Sequence, residues 1–177
     1  DALWAMTFWT ALGVADGIEA ATGLRVGLHW PNDLLLDGRK CCGILCISRV
    51  AGERAWVGCG TGVNVRRPPG DASLEAVSPP PAFLSDDAPG VKRAIVLDAI
   101  LAAYERRLSA LTSPHEIARE WETRSQLHGT PYRLLIDGTT DPLDAIAQRL
   151  DDDGSLIVES NGSERRIMLA DARVLRS

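Results

Sequence analysis

Asn32, Asp33 and Lys40 lie close together in the stretch HWPNDLLLDGRKCCGIL (29–45), which otherwise has the composition of a sheet core. Each could do chemistry. A neighbouring carboxamide and carboxylate can meet a ribose, an adenine edge or a hydrated Mg2+. Lysine is a compact point charge suited to phosphate or carboxylate oxygens. Lys40 stands out further because, of 19 basic residues, only Lys40 and Lys92 are lysines. Each residue also has a structural reading. Asn and Asp after Pro commonly cap a turn through side-chain to backbone hydrogen bonds, and a lysine at a hairpin end is ordinarily solvated. Pro31 fixes its own φ and restricts Trp30, so the amide and carboxylate are held at a defined point on a sheet edge.

A second pattern, GCGTGVN, places Gly58, Gly60 and Gly62 ahead of Asn64. It lacks the strand-to-helix context of a dinucleotide fingerprint and the Lys-Ser/Thr of a phosphate-binding loop. Two readings remain. The glycines relieve crowding in a strand, or they keep the backbone bare so that a flat ligand can lie against it. The run Asp151-Asp152-Asp153 is read as a solvated hairpin end. Cys41, Cys42, Cys46 and Cys59 form no C-x-x-C, and His29, His115 and His128 form no H-E-x-x-H. The spacing therefore suits free thiols in a cytosolic sheet rather than a disulfide framework or a zinc site.

Positioning these residues takes several elements. Ala5, Phe8, Trp9, Leu12, Ala15 and Ile18 recur at helical spacing and predict a helix over 2–21, ended by Gly23. LRVGLHW and DLLL read as strands, Asp37-Gly38 as a hairpin turn, and RKCCGILCISRV and RAWVGCGTGVNV as two further strands joined by the turn AGE. Residues 24–65 thus predict an antiparallel meander with glycines at its far end. The Pro-, Ser- and Asp-rich segment 66–90 predicts a long loop. Leu97, Ile100, Leu101, Tyr104, Leu108 and Leu111 predict a helix over 91–111, and Pro114 opens another, PHEIAREWETRSQ. From residue 130 short strands alternate with the turn dipeptides Asp153-Gly154 and Asn161-Gly162, as in a small all-β barrel. A domain boundary is expected near 127.

Composition bounds the rest. The 177 residues are 45% hydrophobic, enough for a core. A net charge of −5 argues against a dedicated nucleic-acid surface. No apolar run approaches a membrane span, and the N-terminus lacks the basic region of a signal peptide. The chain opens at Asp1 within a helical pattern, which reads as a fragment with sequence upstream.

Taken together, W-P-N-D, a hairpin, Lys-x-x-Gly-Ile-Leu and a Gly-rich strand ending in Val-Asn resemble the biotin protein ligases. HWPNDLLLDGRKCCGIL is similar to that family's Lys-Trp-Pro-Asn-Asp segment and its Lys-x-x-Gly-Ile-Leu strand. GCGTGVNV is similar to its Gly-Ile-Gly-Ile-Asn-Val strand, and the closing segment resembles its SH3-like C-terminal domain. The resemblance covers nearly the whole chain. It implies an α+β fold: a mixed or antiparallel sheet with helices on one face, as in class II synthetase-like catalytic domains, followed by a small SH3-like β-barrel. Residues 1–127 would be the C-terminal part of the catalytic domain and 128–177 the barrel.

The resemblance implies activation of biotin with ATP to biotinyl-5′-adenylate, then transfer to a lysine of a biotin carboxyl carrier domain of a biotin-dependent carboxylase. Lys40 would be catalytic, offsetting the charge of the biotin carboxylate and α-phosphate as they meet. Asn32 and Asp33 would meet the nucleotide and its Mg2+, Val63 and Asn64 would line the adenylate, and Gly43 and Gly60 would leave space for biotin. Cofactors are then ATP, biotin and Mg2+, with no metal held by protein ligands alone. The location is cytoplasmic, with no membrane or nucleic-acid partner for this portion and a homodimer left open. Departures exist. His29 stands where the family has Lys, and Ile47 where it often has an acid. The Gly-Arg-Gly-Arg-x-Gly-Arg loop and the upstream Ser/Thr and Gln that hold biotin have no match, so the 177 residues alone are expected to ligate little. Two alternatives are a non-catalytic ligand- or carrier-binding relative and a lipoate ligase relative that shares the acyl-adenylate chemistry.

Overall fold

The computed structural model describes every residue except 1, 2, 53, 71, 75, 170, 171, 176 and 177; the side chain of Ala72 is likewise outside the description. The expected helix start at Asp1 and Ala2, and Glu53 of the AGE turn, therefore lie outside the described residues.

Helix α1 (Ala5–Thr22) is the centre of the molecule. The six residues of its predicted stripe are all buried, and so are Thr10, Ala11, Gly13, Val14 and Gly17. The helix is covered on nearly every side, which a one-stripe pattern does not convey. It ends where the sequence suggests: Gly23 adopts φ 73° and its N–H bonds back to the Glu19 carbonyl.

Four strands follow: β1 (Gly27–His29), β2 (Asp33–Leu36), β3 (Arg39–Ala51) and β4 (Arg54–Val63). They pair in that order, all antiparallel. Asp37 and Gly38, both with positive φ, make the predicted β2–β3 turn. The β1 strand is shorter than LRVGLHW suggests. The 66–90 segment is a loop that carries a 3-10 turn (Ala72–Leu74) and the short helix α2 (Leu84–Asp87).

Helix α3 (Arg93–Arg107) continues as a 3-10 turn (Leu108–Thr112), and α4 spans Pro114–Ser125. The helix over 91–111 is present, and its predicted stripe is inward only in part: Ile100 is buried and Tyr104 and Leu111 pack against the core. Val96, Ile100 and Ala103 are buried, whereas Leu97, Leu101 and Leu108 are exposed. At Gly17, α3 comes so close that an added Cβ would meet Ile100 Cα at 2.5 Å. Gly13 makes similar room for the Tyr104 ring, which stacks on Trp9 at 5.0 Å.

The remaining strands, β5 (Pro131–Ile136), β6 (Leu143–Leu150), β7 (Leu156–Ser160), β8 (Ser163–Ile167) and β9 (Ala172–Val174), form a second antiparallel sheet in the order β8-β7-β6-β5-β9. The turns Asp153-Gly154 and Asn161-Gly162 join its hairpins. One hydrophobic cluster runs through both sheets, from Phe8 and Leu12 through Trp30 and Trp121 to Leu134 and Leu156. Full burial of a side chain such as Phe8 or Leu12 stabilises by about 1.5–3 kcal/mol.

An ion network ties α1, α3 and α4 together. Arg107 reaches Asp16 at 2.6 Å and Glu120 at 2.7 Å, and Arg124 reaches Asp16 at 2.6 Å and Glu19 at 3.2 Å. Burial works against the charge on Asp16, but the two guanidiniums outweigh it and hold its carboxyl below the usual carboxylate value. No helix among the described residues is long and apolar enough to cross a membrane.

Candidate functional site

Strand register sorts the β3–β4 ribbon into two faces. Cys42 opposes Val63, Ile44 opposes Thr61, and Cys46 opposes Cys59. Side chains of this set turn toward the helices: Cys42 and Ile44 are buried in the cluster built around α1, and Cys46 and Val63 pack against it. The other face carries Gly43 opposite Gly62, Leu45 opposite Gly60, and Ile47 opposite Gly58. All three β4 glycines therefore lie on the side away from the helices.

On β4 this face is bare, and nothing among the described residues requires it to be so at Gly58, Gly60 or Gly62. A Cβ on Gly58 would meet nothing within 4 Å among the described residues, and on Gly60 or Gly62 only a backbone oxygen at 3.7 or 3.9 Å. Leu45 and Ile47 stand on the same face, 64% and 66% exposed. Crowding inside the chain therefore does not explain the glycines, and the reading as a surface for a flat ligand gains. Leu45 was not singled out in the sequence; the period-two alternation Gly43-Leu45-Ile47 is the signal that finds it.

At one end of the face Lys40, Asp33 and Gly43 converge. The Lys40 Nζ is 2.5 Å from Asp33 Oδ1. Asp33 pairs with Gly43 across β2–β3, and a Cβ on Gly43 would meet Lys40 Cε and Nζ at 3.0 Å and Asp33 Oδ1 at 3.4 Å. Gly43 thus leaves the space that the lysine side chain crosses. The irregular register between Leu34 and Leu35 places Lys40 opposite Leu35. Asp33 is largely buried and Lys40 is half exposed, so the ammonium faces both the carboxylate and the open surface.

The other singled-out residues take different places. Asn32 spends its amide on the backbone: Nδ2 donates to the Ile44 carbonyl at 2.6 Å, and the Asn32 carbonyl accepts from Ile44 N at 2.9 Å. This is the turn chemistry of its structural reading, and it fixes Asp33 next in sequence. Asn64 Nδ2 donates to the carbonyls of Lys40 and Ala82, at 3.3 and 3.1 Å. Ala82 N also donates to the Lys40 carbonyl. Asn64 therefore clips the strand that carries Lys40 to the end of the proline-rich loop. The side chain of Val63 lies on the helix side and packs against the core, so the structure does not bring it to the glycine face.

Residues from the second sheet complete the support, and the sequence carried no signal for them. Tyr132 Oη accepts from Trp30 N at 3.1 Å, and Trp30 Nε1 donates to the Gly154 carbonyl at 3.3 Å. His29 stacks on the Tyr132 ring at 4.6 Å. Burial pushes the Tyr132 phenol well above its ordinary pKa, so it is neutral here. Among the described residues no group of three or more His, Cys, Asp or Glu could hold a metal ion.

No family model matches the chain. Among curated proteins it is 31% identical over 170 residues to the bifunctional ligase/repressor BirA of Bacillus subtilis, covering 94% of this chain and 51% of that protein. It is 30% identical over 171 residues to a biotin–[acetyl-CoA-carboxylase] ligase of Paracoccus denitrificans, covering 94% of this chain and 69% of that one. The chain thus spans about half the length of the first of these relatives. Among solved structures, the biotin protein ligase of Aquifex aeolicus in complex with biotin and ATP superposes with a TM-score of 0.78 at 19% identity, over 98% of this chain and 72% of that one.

Proposed function

The chain belongs to the biotin–protein ligase family, and from that premise we propose that it carries the lysine half of a site that activates biotin with ATP and passes it to a carrier lysine. One observation supports this above the others: the Lys40–Asp33 pair stands over Gly43 at the end of a sheet face kept bare at Gly58, Gly60 and Gly62. An aliphatic acid and a nucleotide can lie on such a face, beside Leu45, with their anionic groups at the ammonium.

The chemistry makes a definite demand. The biotin carboxylate attacks the α-phosphorus of ATP and pyrophosphate leaves, so two anions must meet. A fixed ammonium at Lys40 offsets their repulsion and stabilises charge on the phosphoryl oxygens. Asp33 aims the ammonium, Asn32 fixes Asp33, and Asn64 fixes the Lys40 backbone. The carrier lysine then attacks the acyl carbon of the adenylate and AMP departs. Holding both partners on one rigid sheet supplies much of the rest. Asp33 is the carboxylate at this end of the face, and Mg2+ is typically held by one or two carboxylates and the substrate phosphates. Asp33 would be the residue to meet a Mg2+ that arrives with ATP.

In this reading residues 1–127 are the C-terminal part of the catalytic unit and 128–177 the SH3-like unit that braces Trp30. The partner is a biotin carboxyl carrier domain, and a need for ATP favours the cytoplasm. The Gly-Arg-rich loop of the family has no match in the 177 residues. Biotin-dependent exchange of pyrophosphate into ATP tests the reading, with the chain as given and with its reading frame extended upstream. Exchange in the extended form, lost in Lys40→Ala, is the expected result. A folded extended form without exchange overturns it.

A further inference from the structure

We propose that Cys46 and Cys59 form a reversible disulfide across the β3–β4 ribbon, closed by a hydroperoxide and opened by a dithiol. The two residues are direct register partners on antiparallel strands. Directly opposed residues have Cα atoms about 4.5–5.5 Å apart, inside the roughly 4.4–6.8 Å that a disulfide spans. Their side chains point to the same side, and the sulfurs are 2.9 Å apart. Both are partly exposed, whereas Cys41 and Cys42 are buried. A cleft of about 440 Å³ lined by Trp4, Thr7 and Val57 reaches Cys46 and admits a small oxidant.

The step balances. The thiolate of one cysteine attacks the terminal peroxide oxygen, giving a sulfenic acid and an alcohol. The second thiol attacks that sulfur, the disulfide forms and water leaves. Two electrons pass from the sulfurs to the peroxide bond. Burial, with the Cys59 sulfur adding to it, pushes the Cys46 thiol up to about 11, which makes closure slow at neutral pH. The cross-link would lie on the helix side, behind the neighbouring pair Leu45 and Gly60, and tie the two strands that carry the glycine face. It stands whether or not the chain is a ligase.

The test is peptide mapping of the chain after treatment with tert-butyl hydroperoxide, alkylation of remaining thiols and trypsin. We expect the peptide 41–49 joined to the peptide 55–66, lighter by two hydrogens than their sum and separated by dithiothreitol. The link is lost in Cys46→Ser and in Cys59→Ser and kept in Cys42→Ala. Wild-type protein that keeps Cys46 and Cys59 fully alkylated, that oxidises them only to sulfinic acids, or that still makes the link as Cys46→Ser overturns the proposal. The wild-type map decides the matter even where a variant folds poorly.

Discussion

The ammonium of Lys40 lies 2.5 Å from the carboxylate of Asp33, across the bare backbone of Gly43. A lysine free in solvent samples many rotamers. This one is aimed by a largely buried partner and by the absence of a side chain beneath it, while half of it remains open to a ligand.

Replacing Lys40 by Ala removes a half-exposed side chain, so the fold persists. On the ligase reading the loss of one aimed charge at the phosphoryl centre lowers biotin-dependent exchange by about 10²–10³-fold. Exchange kinetics beside a circular dichroism melt check both halves of this expectation. A melt shifted downward together with the activity would make Lys40 structural instead.

The glycines divide into two kinds, and substitution separates them. Gly60→Val puts a side chain into open space, so stability changes by less than about 0.5 kcal/mol, while ligand binding at the glycine face is lost. Gly17→Ala drives a methyl group into Ile100 of α3 and costs about 1–3 kcal/mol through overpacking. Urea unfolding of the two variants, with biotin and ATP binding by calorimetry in the extended form for Gly60→Val, gives the comparison.

Tyr132→Phe keeps the ring that stacks on His29 and removes the oxygen that accepts from Trp30 N–H. A buried N–H without a partner costs about 1–3 kcal/mol. Denaturant midpoints measure this. Tyr132→Ala, which also removes the stack and opens a cavity, is expected to cost more.

Asp16 makes stability depend on acid pH. Its carboxyl is held below the ordinary value by Arg107 and Arg124 despite the opposing effect of burial. The stability it contributes is therefore fully present above the unfolded carboxylate pKa and is lost as pH falls through the lowered one. Urea unfolding at stepped acid pH should show a steeper loss for the wild type than for Asp16→Asn, which is less stable at neutral pH.

Much of this protein is legible in its chain because local chemistry is enough to write it. Asp37-Gly38 and Asn161-Gly162 specify turns through positive φ, Gly23 ends α1, and alternation along DLLL and RKCCGIL specifies strands. The motif residues also stand out by type, since Asn, Asp and Lys have no packing reason to interrupt a sheet core. What the chain does not write is which face each element buries. Of the predicted α3 stripe, Ile100 is buried and Tyr104 and Leu111 pack against the core, but Leu97, Leu101 and Leu108 are exposed and Val96 and Ala103 are buried beside Ile100. Val63 reads as part of the ligand strand, but register sends its side chain to the helices. The bracing of Trp30 by Tyr132 and Gly154 links residues more than a hundred positions apart. Period and turn chemistry act over a few residues and are fixed locally. Facing, register partners and bracing depend on how the elements meet, and only the tertiary structure decides them.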